Sequence, residues 1–177
     1  GKLNLNCLAQ AGQGKDNAQA RTVETLEAML MPTLYDPLFD EEKSDGQRYT
    51  RQDVIKAIVD YIDDDIKAFD LVKLSSSSTQ ERYRYTEIFD PYQPRNARID
   101  SIEELHLVQG VDDDLMTAIA ADLTVYGGCK VNLNFASADQ IALVLRHAVT
   151  AEDKWKTEGE NFLLKTLPLA RYVVDQR

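Results

Sequence analysis

Apolar residues recur along this chain with two different periods. Leu3 and Leu5 alternate with polar neighbours and predict a short strand with one apolar face. Ala11-Gly12-Gln13-Gly14 interrupts it. A helix is then predicted from about Asn17 to Met31, with Val23, Leu26 and Leu30 on one stripe and Pro32 forcing its end. Residues 33–49 hold Asp36-Pro37 and Ser44-Asp45-Gly46 and read as a loop. Thr50 suits an N-cap, with Asp53 three positions on. Val54, Ile55, Ile58, Val59 and Ile62 follow as the clearest amphipathic stripe in the chain.

The second half is punctuated more often. Ser75-Ser76-Ser77-Ser78-Thr79-Gln80 is a low-complexity patch that reads as a mobile loop. Asp90-Pro91-Tyr92-Gln93-Pro94 is extended, because a residue before proline is pushed out of the helical region. Ser101 caps a short helix through Leu107, Gln109-Gly110 turns the chain, and Asp112 to Ala121 is helical again. Leu123-Thr124-Val125-Tyr126 and Lys130-Val131-Asn132-Leu133 predict a β-hairpin around Gly127-Gly128. Ser137 caps a helix bearing Ile141, Leu143, Val144 and Leu145. A last helical stretch runs from about Ala151 to Val174, with Pro168 acceptable at a first turn. The sum is a mainly α fold with a small β component, built from helical hairpins. It reads as one compact domain, or as two parts in close contact, residues 1–100 and 101–177.

Composition narrows the function. Apolar residues make up 44% of the 177 positions, enough for an ordinary core without staples. No apolar run approaches the length that crosses a bilayer, and Gly1 opens no signal-peptide pattern, so this stretch is expected neither to span nor to insert. The net charge of -10 opposes nucleic acid or an anionic membrane surface as the main partner. Residues 101–150 are the most one-sided. There Lys130 and Arg146 face Glu103, Glu104, Asp112, Asp113, Asp114, Asp122 and Asp139.

Few residues offer chemistry. His106 and His147 each sit in a helical segment beside apolar neighbours and read as core or half-buried residues. Gly12-Gln13-Gly14-Lys15 fails as a phosphate loop, because Ala9 and Asp16 stand where glycine and a hydroxyl are required. Cys7 and Cys129 are too few for a disulfide framework and lack metal-ligand spacing. Two readings of them stand, buried free thiols or a bridge. The segment ending at Cys7 resembles the one beginning at Cys129, and antiparallel pairing of the two would set the cysteines opposite each other. Asp60, Asp63, Asp64 and Asp65 crowd the expected C-terminus of a helix, with Asp60 and Asp64 on one face. The negative end of the macrodipole penalises them there. A solvated acidic face, offsetting arginines such as Arg82 and Arg84, or a hard cation such as calcium would each account for the group, although its spacing is not that of an EF-hand. A metal-dependent hydrolase using Asp63 and Asp65 would lack both a zinc ligand set and an evident base. The sequence therefore reads as a non-enzymatic protein that requires no cofactor.

The segment Ser101 to Val111 with its following helix has the outline of a helix-hairpin-helix unit, which in DNA-binding versions offers backbone N–H groups to a phosphate. Here Asp112-Asp113-Asp114 takes that place. At about 5 Å and an effective dielectric near 20, each carboxylate would oppose a phosphate by about 3 kcal/mol before screening. The hairpin is read as structural, with a competence-type nucleic-acid binder as the alternative.

Five motifs in order suggest a family. They are Asn4-Leu5-Asn6, Asp60-Tyr61-Ile62-Asp63-Asp64-Asp65, Pro91-Tyr92-Gln93-Pro94-Arg95-Asn96, Ser101-Ile102-Glu103-Glu104-Leu105-His106-Leu107-Val108-Gln109-Gly110 and Val131-Asn132-Leu133-Asn134-Phe135-Ala136. Together they resemble the K-type minor pseudopilin of type II secretion systems over most of residues 1–145. The resemblance implies a helical part, of SAM or helix-hairpin-helix type, inserted in a pilin-like α+β fold, the periplasmic portion of a protein anchored in the bacterial inner membrane. It implies a place at the pseudopilus tip beside other minor pseudopilins, contact with secreted substrate proteins, no nucleic acid, and in some members calcium. Two departures stand out. Ser78-Thr79-Gln80-Glu81-Arg82-Tyr83 occupies the place of an acidic stretch before a tyrosine, and Tyr61 stands where the family often has tryptophan.

Overall fold

A computed structural model describes residues 1–9, 17–81, 92–148 and 160–177. The expected glycine break at 11–14, Arg82, Arg84 and residues 151–159 lie outside the described residues. So does the side chain of His147.

The N-terminus enters the core at once. Strand β1, Leu3–Asn4, pairs in parallel with β4, Leu123–Thr124, and a 3-10 turn, Leu5–Cys7, buries Leu5 and Cys7. The expected strand through Leu5 is therefore cut short, because the Asn4 side chain accepts the Asn6 N–H and turns the chain. Helix α1 spans Ala18–Leu30. The side chain of Asn17 accepts the Ala20 N–H at 2.7 Å, and Val23, Leu26 and Leu30 are buried. The stretch expected as a loop after Pro32 carries a 3-10 turn, Thr33–Tyr35, and a short helix, α2, Asp36–Asp40. Asp-Pro opens α2 rather than breaking it, since proline is tolerated in a first helical turn.

Helix α3, Arg51–Ile62, is the central element. Thr50 and Asp53 form a reciprocal capping box, and the whole stripe from Val54 to Ile62 is buried. Strand β2, Lys67–Asp70, follows and pairs antiparallel with β3, Ser75–Gln80. The serine run is thus a strand and not a loop. Its polar side chains are compatible with a strand whose faces remain partly wet, and the backbone ladder supplies the bonding. A 3-10 helix, Ile102–Leu107, precedes α4, Asp113–Ile119, and a further 3-10 turn, Ala120–Asp122. The β-hairpin expected around Gly127-Gly128 does not form, and β4 ends at Thr124. The carbonyls of Val125 and Gly127 are taken by Asn6 and Asn4, so side chains replace the ladder that a returning strand would have supplied. Helices α5, Ala138–Ala148, and α6, Glu160–Asp175, pack together and share a small second core of Ala136, Ile141, Ala142 and Ala170. Pro168 lies inside α6, not in its first turn. The main core draws from both sides of residue 100, from Leu5 to Val125.

Two of the short motifs act as knots. Asn6 donates through Nδ2 to the carbonyls of Ile99 and Val125 at 2.9 and 3.0 Å, and its Oδ1 accepts the Ile99 N–H at 2.8 Å. One amide therefore joins three segments of backbone. Arg95 bridges Glu104 and Asp100 at 2.6 and 2.7 Å, and Asn96, held at φ 45°, donates its N–H to the Tyr61 carbonyl at 3.0 Å.

Gly110 holds φ 83°, and a Cβ there would meet Tyr49 Cγ at 2.9 Å and Val54 Cγ2 at 3.1 Å. Gly110→Ala combines left-handed strain with overpacking and is expected to lower stability by about 2 kcal/mol or more. The urea midpoint reads this directly. A shift equivalent to less than about 0.5 kcal/mol would mean that the Tyr49 ring yields freely.

Candidate functional site

The end of α3 delivers an acidic group. After Ile62 the chain leaves the helix, with Asp63 extended at φ -67° and ψ 165° while its N–H still reaches the Val59 carbonyl at 2.9 Å. Because the helix stops there, Asp64 is not one turn above Asp60, and the shared face expected from their spacing does not exist. Asp64 is exposed and stands outside the cluster. Asp60 is fully buried, and its Oδ1 accepts the Phe69 N–H at 2.7 Å, fastening β2 to α3.

Asp63 is buried to 1% exposure, and neither of its carboxylate oxygens has a hydrogen-bond partner among the described residues. Asp65 Oδ1 accepts the Lys67 N–H at 2.6 Å, and its Oδ2 accepts the Ser76 hydroxyl at 2.5 Å. Glu81 follows β3. Its N–H donates to the Ile66 carbonyl at 3.2 Å, and its Oε1 is buried without a partner among the described residues. One oxygen each of Asp63, Asp65 and Glu81 lies within 4.8 Å of the others. Burial, then the charges of Asp65, Asp60 and Glu81, push Asp63 up to about 8. Burial, then Asp60 and Asp65, push Glu81 up to about 7.

Among the described residues the group offers three carboxylates and no nitrogen or sulfur donor, the ligand set of a hard cation and not of zinc. The 4.8 Å limit is about twice a calcium–oxygen distance of ~2.4 Å, so the residues present fit calcium. Orphaned buried carboxylates are costly, and a cation is the partner that would satisfy them. The site unites two of the four aspartates singled out from the sequence, Asp63 and Asp65, and leaves Asp60 beside them with a structural bond. Glu81 was not among those four. It comes within reach only because Ser75–Gln80 runs back along β2, and a strand reading of that polar run was the signal that could have found it.

The other candidates resolve differently. Cys7 and Cys129 are joined in a disulfide with a Cα–Cα distance of 5.6 Å. The neighbouring strands are parallel, β1 with β4, and not the antiparallel pair of 2–7 with 129–134. His106 is 41% exposed at its side chain, with Nδ1 3.4 Å from Asp113. A cavity of about 790 Å³ lies between β1, residues 126–137 and α5. Its charged lining is Lys2, Asp122, Lys130 and Asp139, without a histidine or any base beside a nucleophile among the described residues.

The turn of the helical hairpin is already filled. Tyr49 covers Gly110, and its hydroxyl accepts Gln109 Nε2 at 2.7 Å. Asp112 caps α4 by accepting the Leu115 N–H at 2.9 Å and pairs at 2.5 Å with Lys43, whose side chain is only 8% exposed. Burial acts to raise the Asp112 carboxyl, but Lys43 and the Leu115 amide hold it below the usual carboxylate range. A phosphate would find the aromatic ring and this ion pair where its N–H donors should be. No helix among the described residues is long and apolar enough to cross a membrane.

Comparison with known proteins places this fold. A chain in "The Crystal Structure of the GspK-GspI-GspJ complex from enterotoxigenic Escherichia coli Type 2 Secretion System" superposes with a TM-score of 0.55 at 18% identity, over 97% of this chain and 60% of that one. At that identity the likeness is one of fold, and this chain spans about three-fifths of the length of that relative. Comparison with curated proteins gives no match. Residues 1–128 match the family described as "Type II secretion system (T2SS), protein K", which is well over half of the sequence. This chain belongs to the protein K family of type II secretion systems.

Proposed function

We propose that this chain is the helical head of a minor pseudopilin that caps the tip of the secretion pseudopilus in the periplasm. It acts by shape and association, not by catalysis. Family membership over residues 1–128 is the observation that carries this reading. A filled hairpin turn, an acidic surface and a cavity without catalytic groupings support it. A bulky head blocks addition of subunits beyond it, so the protein occupies only an end of the fibre. Its partners are the I- and J-type minor pseudopilins of the same system, and exported proteins contact the exposed head. Asp63, Asp65 and Glu81 would hold one calcium ion, which supplies positive charge to three crowded carboxylates and has a structural role.

Co-expression of the gene encoding this chain with those of the I- and J-type partners tests the reading. The expected result is a ternary complex that elutes as one species, with export lost when the gene is deleted. A product that stays monomeric beside both partners, or that is retained on duplex DNA in a salt-dependent manner, would overturn it.

A further inference from the structure

The acidic site sits at the root of the β2–β3 hairpin, and the two strands of that hairpin are held very differently. β2 is anchored in the core, with Ala68 and Phe69 buried and the Phe69 N–H bonded to Asp60. Leu74, at the start of the return, is buried but held at φ 52°, a region that branched side chains disfavour. β3 itself, Ser75–Gln80, has no apolar side chain to bury, and its residues are exposed or half-exposed. Its ladder with β2 is irregular between Lys67 and Phe69. A two-stranded hairpin is marginal in water by itself, and among the described residues Leu74 is the one apolar side chain that anchors the return of this one.

What fastens β3 at its far end is therefore decisive. Asp63 and Asp65 stand where the chain enters β2, and Glu81 stands where it leaves β3. Ser76, within β3, donates to Asp65. Without a cation, three carboxyl groups with oxygens within 4.8 Å escape mutual repulsion across the hairpin's base only by holding protons, and do not attract one another. With a cation, the same three groups become a clasp between the root of β2 and the end of β3.

We infer that β3 is a calcium-dependent element, ordered on β2 while Asp63, Asp65 and Glu81 share the ion and released when they do not. This rests on the calcium reading given above. The rest of the core does not depend on the clasp, since α1, α3 and α4 are buried through their own apolar faces. The site thus couples periplasmic calcium to the state of one polar strand on the surface of the head.

Hydrogen exchange of the whole chain, read by mass spectrometry across a calcium chloride titration, tests this alongside calorimetry of calcium binding. If opening of β3 dismantles the site, its amides slow in proportion to free calcium above the Kd, about tenfold per decade of concentration. Amides of α4, Asp113–Ile119, that exchange through local opening do not follow that slope. Glu81→Gln keeps both aspartates but removes the carboxylate on the β3 side. It is expected to weaken binding, and exchange in β3 then no longer follows calcium. Binding heat with unchanged exchange in β3 overturns the inference and leaves the calcium site standing. Absence of binding heat at millimolar calcium overturns both. Exchange in Glu81→Gln that still tracks calcium as in the parent overturns the clasp.

Discussion

Cys7→Ser combined with Cys129→Ser lowers the unfolding free energy by about 4 to 5 kcal/mol. The bridge closes a loop of 122 residues, and in the chain-entropy account a loop near that length contributes about 5 kcal/mol by restricting the unfolded chain. Part of the effect is local. The bridge holds the 3-10 turn at Leu5–Cys7 beside the segment that follows β4, where Asn4 and Asn6 take the carbonyls of Gly127 and Val125. For a chain of this size the loss corresponds to a fall in Tm of about 10 to 20 °C. Urea unfolding measures it, and the slope of free energy against urea should rise as well, because the unlinked chain unfolds to a more expanded state. A double variant within about 1 kcal/mol of the parent would show that the bridge does not restrain the unfolded chain as supposed.

Calcium bound at the proposed site is expected to offset the pH dependence of stability. Asp63, near 8, and Glu81, near 7, are held above the carboxylate values they regain on unfolding. Between about pH 4 and pH 8 the folded protein therefore binds more protons than the unfolded one, and without calcium stability falls as pH rises through that window. The loss is on the order of a few kcal/mol and is complete above about pH 8, most of it from buried Asp63. Calcium at the proposed site would compete with those protons, so its stabilisation would grow over the same interval. At a free concentration of about 100 times Kd it adds about 2.7 kcal/mol, or roughly 5 to 10 °C in Tm. Thermal melts at pH 5 and pH 8.5, with chelator and with calcium, supply the four values needed. Asp63→Asn should flatten both slopes. A chelated protein that melts higher at pH 8.5 than at pH 5 would contradict the assignment of Asp63 and Glu81.

What could be read from the residues was what depends on near neighbours. The stripe Val54, Ile55, Ile58, Val59, Ile62 and the Thr50 cap describe α3 because helix periodicity and capping are local. Ser101 with Glu104, and Asp112 ahead of Leu115, mark their helix starts for the same reason. Distant bonding set the rest. Ser75–Gln80 has no apolar alternation, and only its backbone partner on β2 makes it a strand. Leu123–Leu133 has a β-like pattern, yet two asparagines from the N-terminus remove the carbonyls a hairpin would use. The acidic site was half legible in the same sense. Asp63 and Asp65 stand out at a helix end, whereas Glu81 is placed there by a strand that the sequence disguises as a linker.

Tyr49 over Gly110 and Lys43 against Asp112 also constrain how this head can diverge. Gaining affinity for polyanions would require removing the ring and the carboxylate of Asp112 from the turn. Losing Asp112 first leaves the enclosed Lys43 without its partner, and losing Tyr49 first opens a void above the turn. Both of these steps toward that new activity pass through a less stable protein, so the geometry keeps the lineage on its present course.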